Sequence, residues 1–123
     1  MRKIRWGFLS TAMINRALIT PIQQSAKSEL VAVASRSDEA AAAYAKTWDI
    51  PKAYGQYEDL LADPDIDVIY NPLPNSMHAE WTVKAAQYGK HVLCEKPLVP
   101  TMAEWEAINN AARHNKVTVF EAF

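Results

Sequence analysis

The run Glu95-Lys96-Pro97 holds the group best suited to chemistry in this sequence. An ammonium at the carboxyl end of a strand can donate to a hydroxyl or carbonyl oxygen, stabilise alkoxide charge and pass a proton. Proline after the lysine allows a cis bond, which would fix the direction of Lys96. Taken alone, a Lys-Pro pair in a loop is also an ordinary solvated turn, so its neighbours must decide.

Three other stretches stand out beside it. Ser10-Thr11-Ala12-Met13-Ile14-Asn15 follows an apolar run and opens a helical pattern, where a dinucleotide fold carries GxGxxG. Amides at such a helix start can meet a pyrophosphate. None of the three glycine positions holds glycine, although Ser10 and Ala12 are small and the Ser10 hydroxyl can donate to a phosphate oxygen. Asn15 is bulkier and is expected to loosen helix–strand packing. A plain strand-to-helix turn explains the stretch equally well.

Ser35-Arg36-Ser37 occupies the second such loop. An acidic residue there would hold a ribose 2′-hydroxyl, whereas an arginine accommodates a 2′-phosphate and can stack on adenine. Arg36 therefore favours NADP, while nearby Asp38 keeps NAD open. Ser37 also reads as a helix cap. The third loop, Asn71-Pro72-Leu73-Pro74-Asn75-Ser76-Met77-His78, has two prolines that stiffen a rim suited to a ring or ribose. Asn75 and Ser76 double as helix caps, and His78 reads first as a surface or capping histidine.

The elements that must position these loops alternate along the chain. Apolar runs at Ile4–Leu9, Leu30–Ala34, Asp67–Tyr70, His91–Cys94 and Lys116–Phe120 predict five strands. Between them lie helical patterns over Met13–Gln24, with a kink or early end expected at Pro21, and from Ser37-Asp38 to Trp48. A short helix is predicted over Tyr57–Ala62, another from Ser76 to a stop at Gly89, and a last from Thr101 to Asn115 with Glu104 completing a capping box. Such alternation predicts an α/β fold: a Rossmann-type doubly wound parallel sheet in a single three-layer αβα domain. Ligands of these sheets bind beyond the carboxyl ends of the strands. All four loops fall there.

Composition narrows the rest. The 123 residues suit one domain; 50% are hydrophobic, 22% charged, and the net charge is −1. No basic stripe suggests nucleic acid, and no run approaches the ~20 apolar residues of a membrane span. The single cysteine, Cys94, excludes an intramolecular disulfide and a CxxC metal site. These features point to a reduced, cytoplasmic protein.

With the loops in order, the chain resembles the N-terminal domain of the glucose–fructose oxidoreductase/inositol dehydrogenase family, Gfo/Idh/MocA, from Ile4 to Phe123. The resemblance is most specific at Pro72-Leu73-Pro74-Asn75-Ser76-Met77-His78-Ala79-Glu80-Trp81 and at Gly89-Lys90-His91-Val92-Leu93-Cys94-Glu95-Lys96-Pro97, which match the family's PxxxH and GKHVxxEKP segments. It implies hydride transfer between a nicotinamide cofactor and a hydroxyl or carbonyl carbon, usually of a sugar, polyol or related cyclic alcohol, with Arg36 favouring NADP and NAD as the alternative. It assigns substrate binding and proton handling to Lys96. It gives the cofactor turn to Ser10, Thr11, Ala12, Met13 and Ile14, and ribose recognition to Ser35, Arg36 and Ser37. Asn71, Leu73, Asn75, His78 and Glu95, beside Lys96, would flank the nicotinamide ribose.

Enzymes of that family continue into a second α/β domain carrying substrate contacts, a histidine and the oligomer interface. Residues 1–123 are therefore expected to be the cofactor domain alone, a fragment or a free-standing remnant, with weak cofactor binding and little turnover. Apolar surface is expected near Phe120 and Phe123, which a second copy could cover. The alternative is a non-catalytic Rossmann binding or regulatory module.

Overall fold

The first apolar run forms β1 (Ile4–Leu9), whose inner half, Gly7 to Leu9, is buried. The computed structural model to which it belongs describes residues 2–98 and 101–122. A turn of 3-10 helix over Met13–Asn15 leads into α1 (Arg16–Gln24). The expected early end at Pro21 is corrected, because α1 continues to Gln24. The amide that Pro21 lacks would have met the Ala17 carbonyl, and Ala17 is exposed, so water can serve it.

β2 (Ser28–Ala34) and α2 (Asp38–Trp48) follow, and Ser37 caps α2 by accepting from Ala40 N at 3.2 Å. Such a cap stabilises a helix by about 1 kcal/mol. β3 (Lys52–Tyr54) is a strand the periodicity did not reveal, so six strands are present among the described residues rather than five. Next come α3 (Tyr57–Leu61), β4 (Val68–Asn71), a 3-10 turn at Asn75–Met77 and α4 (His78–Gln87). Gly89, at φ 79°, ends that segment in a conformation side-chain-bearing residues avoid. β5 (His91–Cys94), α5 (Met102–His114) and β6 (Val119–Glu121) complete the order. The Thr101 hydroxyl caps α5 by accepting from Glu104 N.

All pairings in the sheet are parallel, in the order β3-β2-β1-β4-β5-β6. One core joins α1 and α2 to Phe8, Leu30, Val33 and Tyr70. The other joins α3 and α4 to Leu9, Ala32, Ile69, Val92 and Cys94, with α5 packed beside α4. This is the doubly wound three-layer arrangement the alternation predicts.

At the opposite end of the sheet, charged residues clasp the loop before β4. Arg5 and Arg2 hold Asp67, and Lys52 bridges Asp63 and Asp65. Lys90, from the GKHV segment, is buried and donates to the Asp63 and Ile66 carbonyls at 2.6 and 2.7 Å. That lysine belongs to the scaffold. On the α1 side, no helix of their own covers β5 and β6 among the described residues, and Phe120 is 54% exposed there. The expected apolar surface is thus present at Phe120, while Phe123 lies outside the described residues. No described helix is long and apolar enough to cross a membrane.

Candidate functional site

The four loops meet beyond the carboxyl ends of β1, β2, β4 and β5. Ser10 turns the chain out of β1 with φ 88°, a value that few residues other than glycine adopt. Two bonds hold it there: Ser10 N donates to Ala34 O at 2.7 Å, and Asn15 Nδ2 donates to Ser10 O at 2.9 Å. Asn15 is fully buried. The expected loosening at Asn15 is therefore corrected, since its amide ties the helix start to the strand end where a glycine would only leave room.

Ala12 begins the 3-10 turn with no side-chain cap, and the Ser10 hydroxyl is buried without a partner. An uncapped helix start beside an orphaned hydroxyl donor fits an anion such as a pyrophosphate. Both border a cleft of about 460 Å³, within the usual range for small-molecule sites. Thr11 and Ala12 continue its lining from the first loop, Ser35 and Arg36 come from the second, and Pro72, Leu73 and Pro74 from the third.

Asp38 stands apart from this cleft. Its carboxylate is turned back onto Gly55, where a Cβ would collide with it. Arg36 is the charged side chain that faces the cleft. Ser37 is occupied as the α2 cap, and Asn75 is exposed outside the lining. Tyr57, unassigned by the sequence reading, also lines the cleft and packs edge-on against Trp81 with ring centroids 5.1 Å apart. Burial raises the pKa of the Tyr57 hydroxyl and the nearby Arg36 charge opposes that rise. Its place one turn past β3 was unreadable while β3 itself was unseen.

The third loop is braced from below. Asn71 is fully buried; its Oδ1 accepts from Leu73 N at 3.2 Å and its Nδ2 donates to Thr82 Oγ1 at 3.1 Å. His78 is not the surface residue its position suggested: it is 1% exposed, with ring nitrogens 2.6 Å from Leu73 O and 2.7 Å from Pro97 O.

Glu95 and Lys96 part company after β5. The Glu95 carboxylate accepts from the Tyr70 hydroxyl at 2.6 Å and lines a second groove of about 510 Å³ with Ile14, Leu18, Leu93 and Phe120. Lys96 is exposed, and no ion pair holds it among the described residues. The Lys96–Pro97 bond is cis, as the sequence suggested. Met13 is exposed, and Ile14 joins the second groove rather than the first. The first turn thus separates two hollows, one of mixed lining beside Arg36 and one largely apolar beside Glu95. Burial pushes the Cys94 thiol up to about 11, which leaves it unreactive under the sheet.

Comparison with known proteins agrees with this architecture. Residues 4–123 match the Gfo/Idh/MocA oxidoreductase family, described as an NAD-binding Rossmann fold, and the chain belongs to that family. It is 45% identical over 118 residues to D-xylose 1-dehydrogenase (NADP(+)) 2 of Haloferax volcanii, covering 96% of this chain and 36% of that protein. It is 40% identical over 121 residues to trans-1,2-dihydrobenzene-1,2-diol dehydrogenase of Xenopus laevis, covering 97% and 37%. Among solved structures, the 3-ketoreductase KijD10 of Actinomadura kijaniata, in complex with TDP-benzene and NADP, superposes with a TM-score of 0.93 at 32% identity. That match covers 99% of this chain and 39% of the other. The chain spans little more than a third of the length of these relatives.

Proposed function

We propose that residues 1–123 form the cofactor domain of an NADP-dependent oxidoreductase acting on the CH–OH or C=O group of a sugar, polyol or related cyclic alcohol. The observation that carries this reading is the division of labour around the first cleft. Arg36 faces it while Asp38 is parked on Gly55, an arrangement suited to a ribose 2′-phosphate over a bare hydroxyl. The names of the relatives, a xylose dehydrogenase using NADP(+) and a ketoreductase bound to NADP, point the same way.

In this reading Ser35, Arg36 and Ser37 surround the adenosine end, and Ser10, Thr11, Ala12, Met13 and Ile14 pass the pyrophosphate over the first turn. Asn71, Leu73, Asn75, His78 and Glu95 shape the nicotinamide end, some by contact and some from beneath. A nicotinamide held by these residues would supply or accept the hydride. Lys96 Nζ, exposed and unpaired among the described residues, holds the substrate oxygen and moves its proton. A second domain, which the family resemblance implies, supplies the remaining substrate contacts in this reading, and without it this domain binds cofactor weakly with little turnover. The buried free thiol of Cys94 suits a reducing, cytoplasmic setting. The groove bearing Phe120 is a surface for that second domain or for a second copy.

Fluorescence titration of the chain with NADPH and NADH tests the reading. Saturable binding with NADPH the tighter ligand is expected. No binding of either at millimolar concentration refutes the cofactor domain and favours a non-catalytic module. Equal binding of both refutes the NADP preference alone.

A further inference from the structure

His78 is the first residue of α4, and its ring lies inside the protein between two loops of the candidate site. Nε2 faces the carbonyl of Leu73, on the rim of the first cleft, at 2.6 Å. Nδ1 faces the carbonyl of Pro97, the residue after Lys96, at 2.7 Å. A carbonyl oxygen only accepts, so each contact is a hydrogen bond only when the nitrogen facing it carries a proton. Both separations are at the short end for N–H···O bonds.

The position of these ties in the fold gives them their consequence. The β4–β5 ladder ends with Glu95 N donating to Asn71 O at 3.0 Å. Beyond that rung the chains diverge, one toward Leu73 and the other through Lys96 to Pro97. Past Pro97, Leu98 N donates to Glu121 Oε2 at 2.7 Å, which fixes the outer end of the lysine loop to β6. On the inner side, His78 connects that loop back to the cleft rim. The ring is too buried to touch a ligand in the cleft, so its influence passes through the two carbonyls.

We propose that His78 is a positioning residue for the nicotinamide half of the site: its ring, packed between the Leu73 and Pro97 carbonyls and donating to the one that faces its N–H, holds the cleft rim against the lysine loop and so sets where Lys96 stands. This rests on the dinucleotide reading above. It also accounts for the pairing of a histidine in one segment with Lys-Pro in another, because each supplies one end of the same tie. Glutamine can still donate to one carbonyl, but it lacks the flat ring that fills the gap between the two.

Two ligands separate this role from a general loss of structure. NADPH reaches from Arg36 to Lys96, whereas adenosine 2′,5′-bisphosphate occupies the adenosine half alone. In His78→Gln, NADPH affinity is expected to fall about tenfold, the scale of one lost hydrogen bond, while bisphosphate affinity stays within about twofold. Equal losses for both ligands, or no loss for either, overturn the proposal. If the unsubstituted chain binds neither ligand, the dinucleotide reading fails, and the nicotinamide role given to His78 falls with it. Should the glutamine variant not fold, His78→Asn is titrated with the same two ligands, with the same selective loss of NADPH affinity expected, and equal losses for both overturn the proposal.

Discussion

Tyr70 donates its hydroxyl to Glu95 Oε2 at 2.6 Å, and this bond fixes the side of the sheet on which Glu95 lies. The Tyr70 ring is held in turn by Phe8, edge-on at 5.2 Å between centroids. Glu95 therefore borders the apolar groove on the α1 side, while Asn71 and His78 work on the opposite face. Neighbouring residues in the chain serve different hollows.

Removing the Tyr70 hydroxyl is expected to lower stability by about 1–2 kcal/mol, a hydrogen bond to a charged acceptor being lost. A Tyr70→Phe variant should show this as a lower urea midpoint with an unchanged slope. Burial first, and then the Glu95 carboxylate, hold the Tyr70 pKa above its ordinary value of about 10. A raised folded-state value stabilises in full below about pH 10 and is lost as pH rises through the folded value. The unsubstituted chain should accordingly weaken above about pH 10 more steeply than the phenylalanine variant.

Arg36→Ala should reduce NADPH affinity about tenfold and leave NADH affinity within about twofold, because one charged contact to a 2′-phosphate is removed. Competitive titration with both cofactors reads the ratio directly. A parallel loss for both would assign Arg36 to adenine stacking in place of phosphate recognition.

Asn15→Ala should cost about 1–3 kcal/mol, since the Ser10 carbonyl loses its buried donor and a small cavity opens. Cofactor affinity should fall as well, because Ser10 is no longer held at its positive φ. Denaturant unfolding and NADPH titration of one preparation measure both effects. A variant of unchanged stability would remove Asn15 from the account of the turn.

Acid stability has a separate origin, at the far end of the sheet. Burial works to raise the Asp67 pKa, but hydrogen bonds from Arg5 and Arg2 prevail and bring it to about 2. A lowered folded-state value stabilises above the unfolded value of about 3.9, and that contribution is lost as pH falls from there toward 2. Asp67→Asn should therefore lower stability at neutral pH and flatten the decline between about pH 4 and pH 2. Urea midpoints across that window test it.

The parts of this molecule that were readable from sequence are those whose physics is local. Long apolar runs, the Ser37 and Thr101 caps and Gly89 mark the major elements because period, hydroxyl and backbone freedom act within a few residues. β3 escaped because three residues offer no period, and its pairing with Ala32–Ala34 is tertiary. The two-residue period of β5 did contain the answer for Glu95: Val92 and Cys94 enter one core, so Leu93 and Glu95 must face the other side. Nothing local announces that His78 turns inward. Its two acceptors are backbone atoms, which any sequence would supply, brought together by the fold alone.

The strand order has a consequence for how the chain acquires its shape. β1 lies between β2 and β4, and its second ladder joins Trp6, Gly7 and Phe8 to Val68, Ile69 and Tyr70. On a translating ribosome the first strand can pair with β2 early, but its other edge waits until more than half of these residues have been made. Contacts this distant in sequence slow folding and leave strand edges open meanwhile. A chain stalled before β4 would present an apolar half-sheet to the cell, the kind of surface to which chaperones bind.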